Sequence, residues 1–306
     1  MSKKIILSVV VSAFNSEQEL EDCLKSAVFA DEIVVVDNSS TDKTAEIAKQ
    51  YTDKIFTRPN NPMLNVNKNF GFSKAGGTWI FCLDADERIT PDLAQEIKNL
   101  KLENENSVNG YWIPRKNIIF GKWIEHTGWY PDHQLRLFRN GKGSFPEKHV
   151  HEMIKITGET GYLKNNLLHY NYRTISQFLN KLNIYVFNEA EQLINNGYKF
   201  EWQDAIRAPV KEFLGRFFAR EGYKDGFHGL VLSLLMSFYH LLVVVVLWEK
   251  QGFKENEMGD INTEIKKEFK KSYKDLFFWI NNEKLKNIKN PLKKTAYKIF
   301  KKIHTK

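Results

Sequence analysis

The sequence predicts an α/β fold with a mostly parallel central sheet, followed by a helical C-terminal region. Over the first hundred residues, short β-branched runs alternate with stretches of helical spacing, which is the pattern of parallel strands joined by helices. From Ser176 onward the pattern is helical. The chain has 306 residues, of which 42% are hydrophobic and 13% aromatic. That composition supports a large buried core and excludes intrinsic disorder.

The first predicted strands are short apolar runs that end at turn residues, at positions 5–13, 32–37, 54–57 and 78–83. The helices between them have apolar residues on one face and are predicted at positions 17–29, 44–51, 66–75 and 91–100. Pro91 suits a first helical turn. Downstream the pattern is mixed, with strands at 110–116 and 134–139 and a loop at 130–132 between them.

Charge and cysteine content narrow the class of protein. Cys23 and Cys82 are too few for a disulfide framework and form no zinc-binding pair, which favours a reducing compartment. The net charge of +8 is compatible with nucleic acid or an anionic membrane as partner. Residues 254–306 contain 15 Lys against 7 Asp or Glu, so this tail holds the whole excess. Because the first 253 residues are neutral, we expect no nucleic acid as partner. The non-enzymatic alternative is a protein that binds a membrane or nucleic acid through the basic tail.

Three aspartates follow predicted parallel strands. Asp37 ends the second strand, and Asp84 and Asp86 follow the strand at 78–83. Ligands of open parallel sheets bind beyond the carboxyl ends of the strands, and clustered carboxylates favour Mg²⁺ or Mn²⁺. On extended backbone, Asp84 and Asp86 would point to the same side and serve one ligand. The alternative is that they are loop aspartates that cap the helix beginning at Pro91.

Several short motifs resemble the family 2 glycosyltransferases, whose fold is the GT-A nucleotide-sugar domain. They are Ala13-Phe14-Asn15, VDNSSTD at 36–42, KNF at 68–70, GTW at 77–79 and LDADE at 83–87. Farther along, WYPDHQLRLFR at 129–139 and VHE at 150–152 are similar to the WaaE/KdtX-like β-glucosyltransferases of the lipopolysaccharide inner core. The resemblance covers roughly residues 5–250 and leaves out the basic tail.

The resemblance implies a hexosyltransferase that uses a UDP-sugar donor. Ala13 and Asn15 would line the nucleotide cleft, and Asp37 would receive the uracil imide. Of the competing classes, a nucleotidyltransferase that makes NDP-sugars would need a Gly-rich basic loop after the first strand. Residues 12–16, SAFNS, contain neither Gly nor Lys.

The resemblance also implies a metal site at the diphosphate. Asp84 would bind the ribose or the metal, and Asp86 would hold Mn²⁺ or Mg²⁺ on the diphosphate. Lys68 would lie near the same phosphates. A metal there acts as a Lewis acid that makes UDP a better leaving group.

Transfer of the sugar also requires a base for the acceptor hydroxyl, and a carboxylate with a raised pKa in a closing cleft can take that proton. Asp132 occupies the position at which family members have an acidic residue, and Glu152 is the second candidate. The alternative is that Asp132 caps a turn after Pro131. In-line attack would invert the anomeric centre and give a β-glycoside. The candidate acceptor residues are Trp129, Tyr130 and His151; packing of the aromatic side chains is the alternative.

An apolar segment at 226–248 has 23 residues and no Asp, Glu, Lys or Arg. It is long enough to span a bilayer, although a buried core helix is the alternative. Basic residues on both sides favour a segment that re-enters or lies in the interface over a single span. We therefore expect monotopic or peripheral attachment to the cytoplasmic face of the inner membrane, with an anionic surface and a lipid-linked saccharide acceptor as partners. Three parts are predicted: a catalytic domain at 1–175, a helical membrane-associating region at 176–253 and an amphipathic tail at 254–306.

Overall fold

The computed structural model describes residues 4–61, 63–100, 102, 107–147, 152–254 and 259–304. Its strands, in chain order, are β1 (Leu7–Ala13), β2 (Glu32–Asp37), β3 (Ile55–Thr57), β4 (Trp79–Asp84), β5 (Glu87–Ile89), β6 (Val108–Ile119), β7 (Lys122–Trp123), β8 (Asp132–Arg139), β9 (Gly143–Ser144), β10 (Lys155–Ile156), β11 (Glu159–Tyr162) and β12 (Leu167–Tyr172). Its helices are α1 (Leu20–Ala27), α2 (Thr44–Ala48), α3 (Leu64–Lys74), α4 (Pro91–Asn99), α5 (Ile175–Asn195), α6 (Asp204–Leu214), α7 (Phe227–Lys250), α8 (Ile261–Asn287) and α9 (Pro291–His304).

The chain divides into two compact units, which are described separately. The first unit contains residues Met1–Ile119 and Tyr130–Asn171, and the second contains Phe120–Trp129 and Tyr172–Lys306. The first unit contains the predicted sheet, and the second contains the long helices of the predicted C-terminal region. The finer division at residues 175 and 253 stays a prediction.

The first unit is built on a sheet with the strand order β3-β2-β1-β4-β8-β6-β12-β5, and β11 pairs with β6. The half formed by β3, β2, β1 and β4 is parallel, whereas β8 joins β4 and β6 in antiparallel orientation. The predicted α/β class with a mostly parallel core is therefore confirmed.

Alternation along the central strands produces two apolar cores, one on each face of the sheet. Val9 and Val11 of β1 pack on one face with Leu24 and Leu83. Val10, the residue between them, belongs to the core on the other face. Because the two faces are covered, the parallel strands consist of unbroken apolar runs rather than an alternating polar pattern.

Six strands were not predicted, namely β5, β7, β9, β10, β11 and β12. β5 has three residues and β12 has six, and they pair with each other in antiparallel orientation. β5 contains Glu87 and Arg88, so its composition does not resemble that of an apolar strand. The predicted loop at 130–132 is also shorter than expected, because Asp132 already belongs to β8 and is paired in register with Arg115.

Helix α3 lies close to the parallel half of the sheet because it contains a glycine at the contact. A Cβ atom on Gly71 would come within 2.6 Å of a methyl carbon of Val10 and 3.0 Å of one of Val36. The close approach needs a residue without a side chain. It brings the neighbouring turn of α3, which bears Lys68, to the end of β4.

The second unit is helical, and α7 packs against both α5 and α6. Helix α6 also packs against α8, which in turn packs against α9. Within the described ranges, α7 is the one helix that is long and apolar enough to cross a membrane, with a mean hydropathy of 2.6. Core helices of soluble proteins can have the same length and apolar composition, so these two properties alone do not establish a membrane span.

Candidate active site

The ends of three adjacent parallel strands meet at one edge of the sheet. Because β1 lies between β2 and β4, its last residues pair in register with theirs: Ala13 with Asp37, and Ser12 with Asp84. Asp37 is 4% exposed and accepts a hydrogen bond from the backbone N–H of Ser40, at 3.2 Å. The two strand-end aspartates therefore lie at the edge where open α/β sheets bind ligands.

Asn15 holds the loop after β2 against the end of β1. Its backbone is left-handed, with φ of 47°. Its side-chain oxygen accepts a hydrogen bond from the backbone N–H of Thr41, at 2.8 Å, and its own N–H donates to the hydroxyl of Ser40, at 3.0 Å. Asn15 thus shapes the rim of the strand edge through local hydrogen bonds.

Asp84 lies between two cations. Its Oδ1 atom is 2.5 Å from Lys68 Nζ, and its Oδ2 atom is 2.6 Å from Arg136 Nη2. Burial by itself would raise the pKa of Asp84, but Arg136 and Lys68 outweigh it and lower the pKa far below its usual range. Burial likewise disfavours the charged form of Lys68, yet Asp84 raises the pKa of that lysine. All three groups are therefore ionised at neutral pH.

The same ion network continues to the candidate base. Glu87 is fully buried, and its Oε1 atom is 2.6 Å from Arg136 Nη2 and 3.0 Å from Arg115 Nη1. Arg115 Nη2 in turn lies 2.6 Å from Asp132 Oδ2. Alternating charges thus link Asp84, where the nucleotide is expected, to Asp132, where the acceptor is expected.

Asp132 is held as a carboxylate by several donors. Gln134 donates to its Oδ1 atom at 2.8 Å, and Asn117 to its Oδ2 atom at 3.3 Å. Burial would raise the pKa of Asp132, but Arg115 and these side-chain donors lower it. This direction is opposite to the raised pKa that the general-base argument expects.

Asp86 faces a histidine, whereas Asp84 faces two cations. His169 Nε2 lies 3.5 Å from Asp86 Oδ2, and His169 Nδ1 lies 2.7 Å from Asn117 Oδ1. Because Asn117 donates its amide N–H to Asp132, its oxygen faces the histidine, and Nδ1 must be the donor. The Nε2 atom then faces a carboxylate, an arrangement that a shared cation satisfies, either a proton or a divalent metal.

The extended backbone expected from Asp84 to Asp86 is wrong, whereas the expectation that both aspartates serve one ligand stays a prediction. Strand β4 ends at Asp84, and the chain turns at Ala85 and Asp86. The two side chains therefore have different partners. Over the described ranges no group of three or more His, Cys, Asp or Glu side chains could hold a metal ion. A metal here would take few protein ligands, which suits an ion that also binds the phosphates of a substrate.

The remaining predicted residues are described each within its own unit. Glu152 accepts a hydrogen bond from the amide of Asn65, at 3.3 Å, in the first unit. Trp129 belongs to the second unit, where its ring packs edge-on against Tyr172 and beneath Arg216. Tyr130 precedes a cis peptide bond to Pro131. His151 lies outside the described residues.

The family model described as glycosyl transferase family 2 matches residues 8–165, which contain the strand-edge aspartates, Lys68, Asp132 and Glu152. The chain belongs to this family. It is a glycosyltransferase, and its fold is the expected GT-A domain followed by a helical region. A nucleotidyltransferase is set aside as the alternative enzyme class.

Relatives align along most of the chain. The lipopolysaccharide core biosynthesis glycosyltransferase LpsC of Rhizobium meliloti is 26% identical over 261 residues, which cover 83% of this chain and 96% of LpsC. An uncharacterized glycosyltransferase of Rickettsia typhi is 27% identical over 269 residues, covering 84% of this chain and 91% of that protein. Among solved structures, S. aureus TarS 1–349 aligns with a TM-score of 0.41 and 15% identity, covering 84% of this chain and 95% of that one.

Sequence reasoning missed several side chains that surround the predicted ones: Glu87, Arg115, Asn117, Arg136 and His169. Glu87 and Arg136 were recognised only as parts of the LDADE and WYPDHQLRLFR motifs. Arg115 and Asn117 occupy alternate positions of β6, so they point to the same side, which is a usable signal. His169 had no such signal, because its neighbours in space come from the turn after β4 and from β6, far away in the sequence.

Proposed function

We propose that this family 2 glycosyltransferase transfers a sugar from a UDP-sugar to a lipid-linked saccharide, in the synthesis of lipopolysaccharide core or another cell-surface glycan. The observation on which the proposal depends is the strand edge that joins Asp37, Asp84 and Lys68 within the family domain. The likeness to LpsC over nearly its whole length supports a cell-envelope acceptor.

The donor would lie along this edge. Asp37 is suited to accept the imide N–H of uracil, and Ala13 and Asn15 would form the wall beside it. Lys68 is ion-paired with Asp84 in the structure. We propose that its ammonium group turns to the diphosphate when the donor binds, while Arg136 keeps Asp84 neutralised. After the donor binds, Lys68 would face the diphosphate, and Asp84 would still be paired with Arg136.

Asp86 and His169 would hold the metal. The carboxylate of Asp86 suits Mn²⁺ or Mg²⁺, and the added imidazole nitrogen favours Mn²⁺ over Mg²⁺. Asn117 orients the imidazole through Nδ1, as outer partners of metal-ligating histidines do. When bound, the metal supplies charge neutralisation at the departing diphosphate. Asp84 is the weaker metal candidate, because both of its oxygens already face cations.

The donor class is tested by release of UDP. Purified full-length protein, given a panel of UDP-sugars with Mn²⁺ or Mg²⁺, is expected to release UDP from at least one of them. GDP- and CMP-sugars serve as matched controls, because Asp37 is proposed to select uracil. Release from a GDP- or CMP-sugar alone would contradict the UDP assignment and leave the family membership intact.

Asp132 remains the proposed base, with Glu152 as the second candidate, and inversion of the anomeric centre follows from in-line attack. Because the pKa of Asp132 is lowered, its carboxylate is ionised at neutral pH and loses its charge only below the ordinary titration range of an aspartate. The stabilisation from its pairing with Arg115 is present above that range and is lost as the pH falls through the folded-state pKa.

Replacement of Asp132 by Asn is expected to reduce kcat/KM by about 10²- to 10⁴-fold, the usual contribution of a general base. The kcat/KM of the wild-type enzyme is expected to show no decrease from this residue between about pH 5 and pH 9, because an aspartate ordinarily titrates below that range. Asp92→Asn, at an exposed position in the first turn of α4, is the matched control. Full activity of the Asp132→Asn enzyme would move the base to Glu152.

We further propose that the enzyme is held at the cytoplasmic face of the inner membrane, in a monotopic or peripheral manner. The 15 lysines of residues 254–306 favour an anionic surface, and each basic residue near such a surface contributes about 1 kcal/mol. A catalytic domain at 1–175, an anchoring region at 176–253 and a basic tail at 254–306 belong to the same proposal.

A further inference from the structure

Helix α7 has two faces that differ in their surroundings. The buried residues lie on one side of the helix, at Gly229, Leu232, Ser233, Val243, Val244, Val246 and Leu247. The exposed large apolar residues are Phe227, Leu234, Phe238 and Val245, which are 76%, 52%, 46% and 42% exposed. At about 100° per residue, these four positions fall within about 40° of one line along the helix, opposite the buried set. We call them the α7 stripe.

The buried side of α7 contacts polar groups at the middle of the helix. Tyr239 donates its hydroxyl to Glu189 of α5. His240 Nε2 lies 3.7 Å from an oxygen of Glu212 on α6, and Glu212 is also paired with Arg216. Positions 239 and 240 lie at the centre of the 24-residue helix.

These contacts disfavour a helix that crosses a bilayer. A helix of this length is about 36 Å long, so its centre would lie near the middle of a hydrocarbon core of about 30 Å. Glu189, Glu212 and Arg216 would then be placed at the depth where ionised side chains are least favourable. Helices α5 and α6, which pack along α7, would enter the hydrocarbon with it.

We infer that α7 lies in the plane of the membrane interface, inserts the α7 stripe into one leaflet and keeps its other face on α5 and α6. The inference rests on the proposed membrane attachment and specifies its geometry. In this orientation the polar contacts of Tyr239 and His240 stay on the protein side, away from the hydrocarbon. The stripe supplies apolar area at the boundary of headgroups and acyl chains, as in interfacial helices.

A lipid surface is the occupant that the charges favour. The chain's whole excess of positive charge lies in residues 254–306, which belong to the same unit as α7. Described lysines of α8, such as Lys266, Lys267 and Lys270, are exposed. A combination of an apolar stripe with cationic helices fits an anionic bilayer, whereas a second copy of the chain would bring like charges together.

The depth of the stripe tests the inference. Single cysteines are introduced by Phe227→Cys, Leu234→Cys, Phe238→Cys and Val245→Cys, and each is labelled with a nitroxide. The native Cys23 and Cys82 are 0% and 1% exposed, so labelled wild-type protein serves as the background. Depth is measured by the accessibility of the label to oxygen and to a water-soluble nickel chelate, on phosphatidylcholine vesicles that contain phosphatidylglycerol.

An in-plane helix places the four labels at one shallow depth. A crossing helix places 238 deepest, 227 near one surface and 245 within the opposite leaflet, and that result would overturn the inference. Labels that stay in water would overturn it as well. In that case release of UDP with a soluble saccharide acceptor would still proceed, which separates this failure from a failure of the proposed function.

A charge placed on the stripe gives a second, independent measurement. Val245→Asp is expected to lower the partition coefficient onto these vesicles by about ten-fold or more. Val28→Asp, at a 64% exposed valine of the first unit, is the matched control and is expected to leave partitioning unchanged. If Val245→Asp instead changes the molar mass of the protein in solution and leaves vesicle binding intact, the stripe is a self-association surface and the inference is wrong.

Discussion

Asp86→Asn is expected to lower the rate of sugar transfer on the order of 10³-fold, because several kcal/mol of charge neutralisation at the leaving diphosphate are lost. Asp86 approaches His169 Nε2 at 3.5 Å, and the two side chains are the proposed protein ligands of Mn²⁺ or Mg²⁺. Asparagine has a similar shape but lacks the negative charge that a hard cation prefers.

Two quantities are measured: the rate of sugar transfer, and the binding of Mn²⁺ to the enzyme–UDP complex by calorimetry. Asp86→Asn and His169→Gln should each weaken Mn²⁺ binding, whereas Asp53→Asn, at an exposed turn, should leave it unchanged. An Asp86→Asn enzyme that is fully active without added metal would remove the metal role. If the His169→Gln enzyme binds Mn²⁺ as tightly as the wild type, His169 is not a metal ligand.

The second large effect concerns stability. Glu87→Gln is expected to lower the free energy of unfolding by about 3–5 kcal/mol, the usual consequence of removing one partner from a buried ion pair. Glu87 is fully buried between Arg115 and Arg136, and both guanidinium groups approach its Oε1 atom. The substitution preserves the volume of the side chain but leaves the buried Arg136 and the partly buried Arg115 with one fewer negative charge.

The change is measured by urea unfolding at neutral pH. Glu21→Gln removes an exposed ion pair with Lys25 on α1 and is the matched control, for which no measurable change is expected. If Glu87→Gln proves as stable as the control, the network does not organise the site.

Much of the first unit could be predicted because its signals are local. The strands that end at Ala13, Asp37 and Asp84 are apolar runs followed by turn residues, and their carboxyl ends share an edge in any parallel arrangement. The helix beginning at Pro91 has both an N-cap residue, Thr90, and a proline at its start. Such patterns depend only on neighbours in the chain.

The partners of the site residues could not be predicted in the same way. Sequence placed Asp84 and Asp86 together, yet a turn after β4 sends Asp84 to Arg136 and Asp86 to His169. The lowered pKa of Asp132 likewise depends on Arg115, which faces it across two antiparallel strands. The register of such a pair is decided by the sheet as a whole.

By itself, the sequence determined the α/β class, the acidic strand edge of a family 2 glycosyltransferase, and the concentration of positive charge in the tail. The tertiary structure alone decided which carboxylates are neutralised by arginine and lysine and which one meets a histidine. It also decided which face of α7 is covered. The reason is physical: periodicity and turn chemistry act over a few residues, whereas ion pairs and burial depend on groups that only the fold brings within a few ångströms.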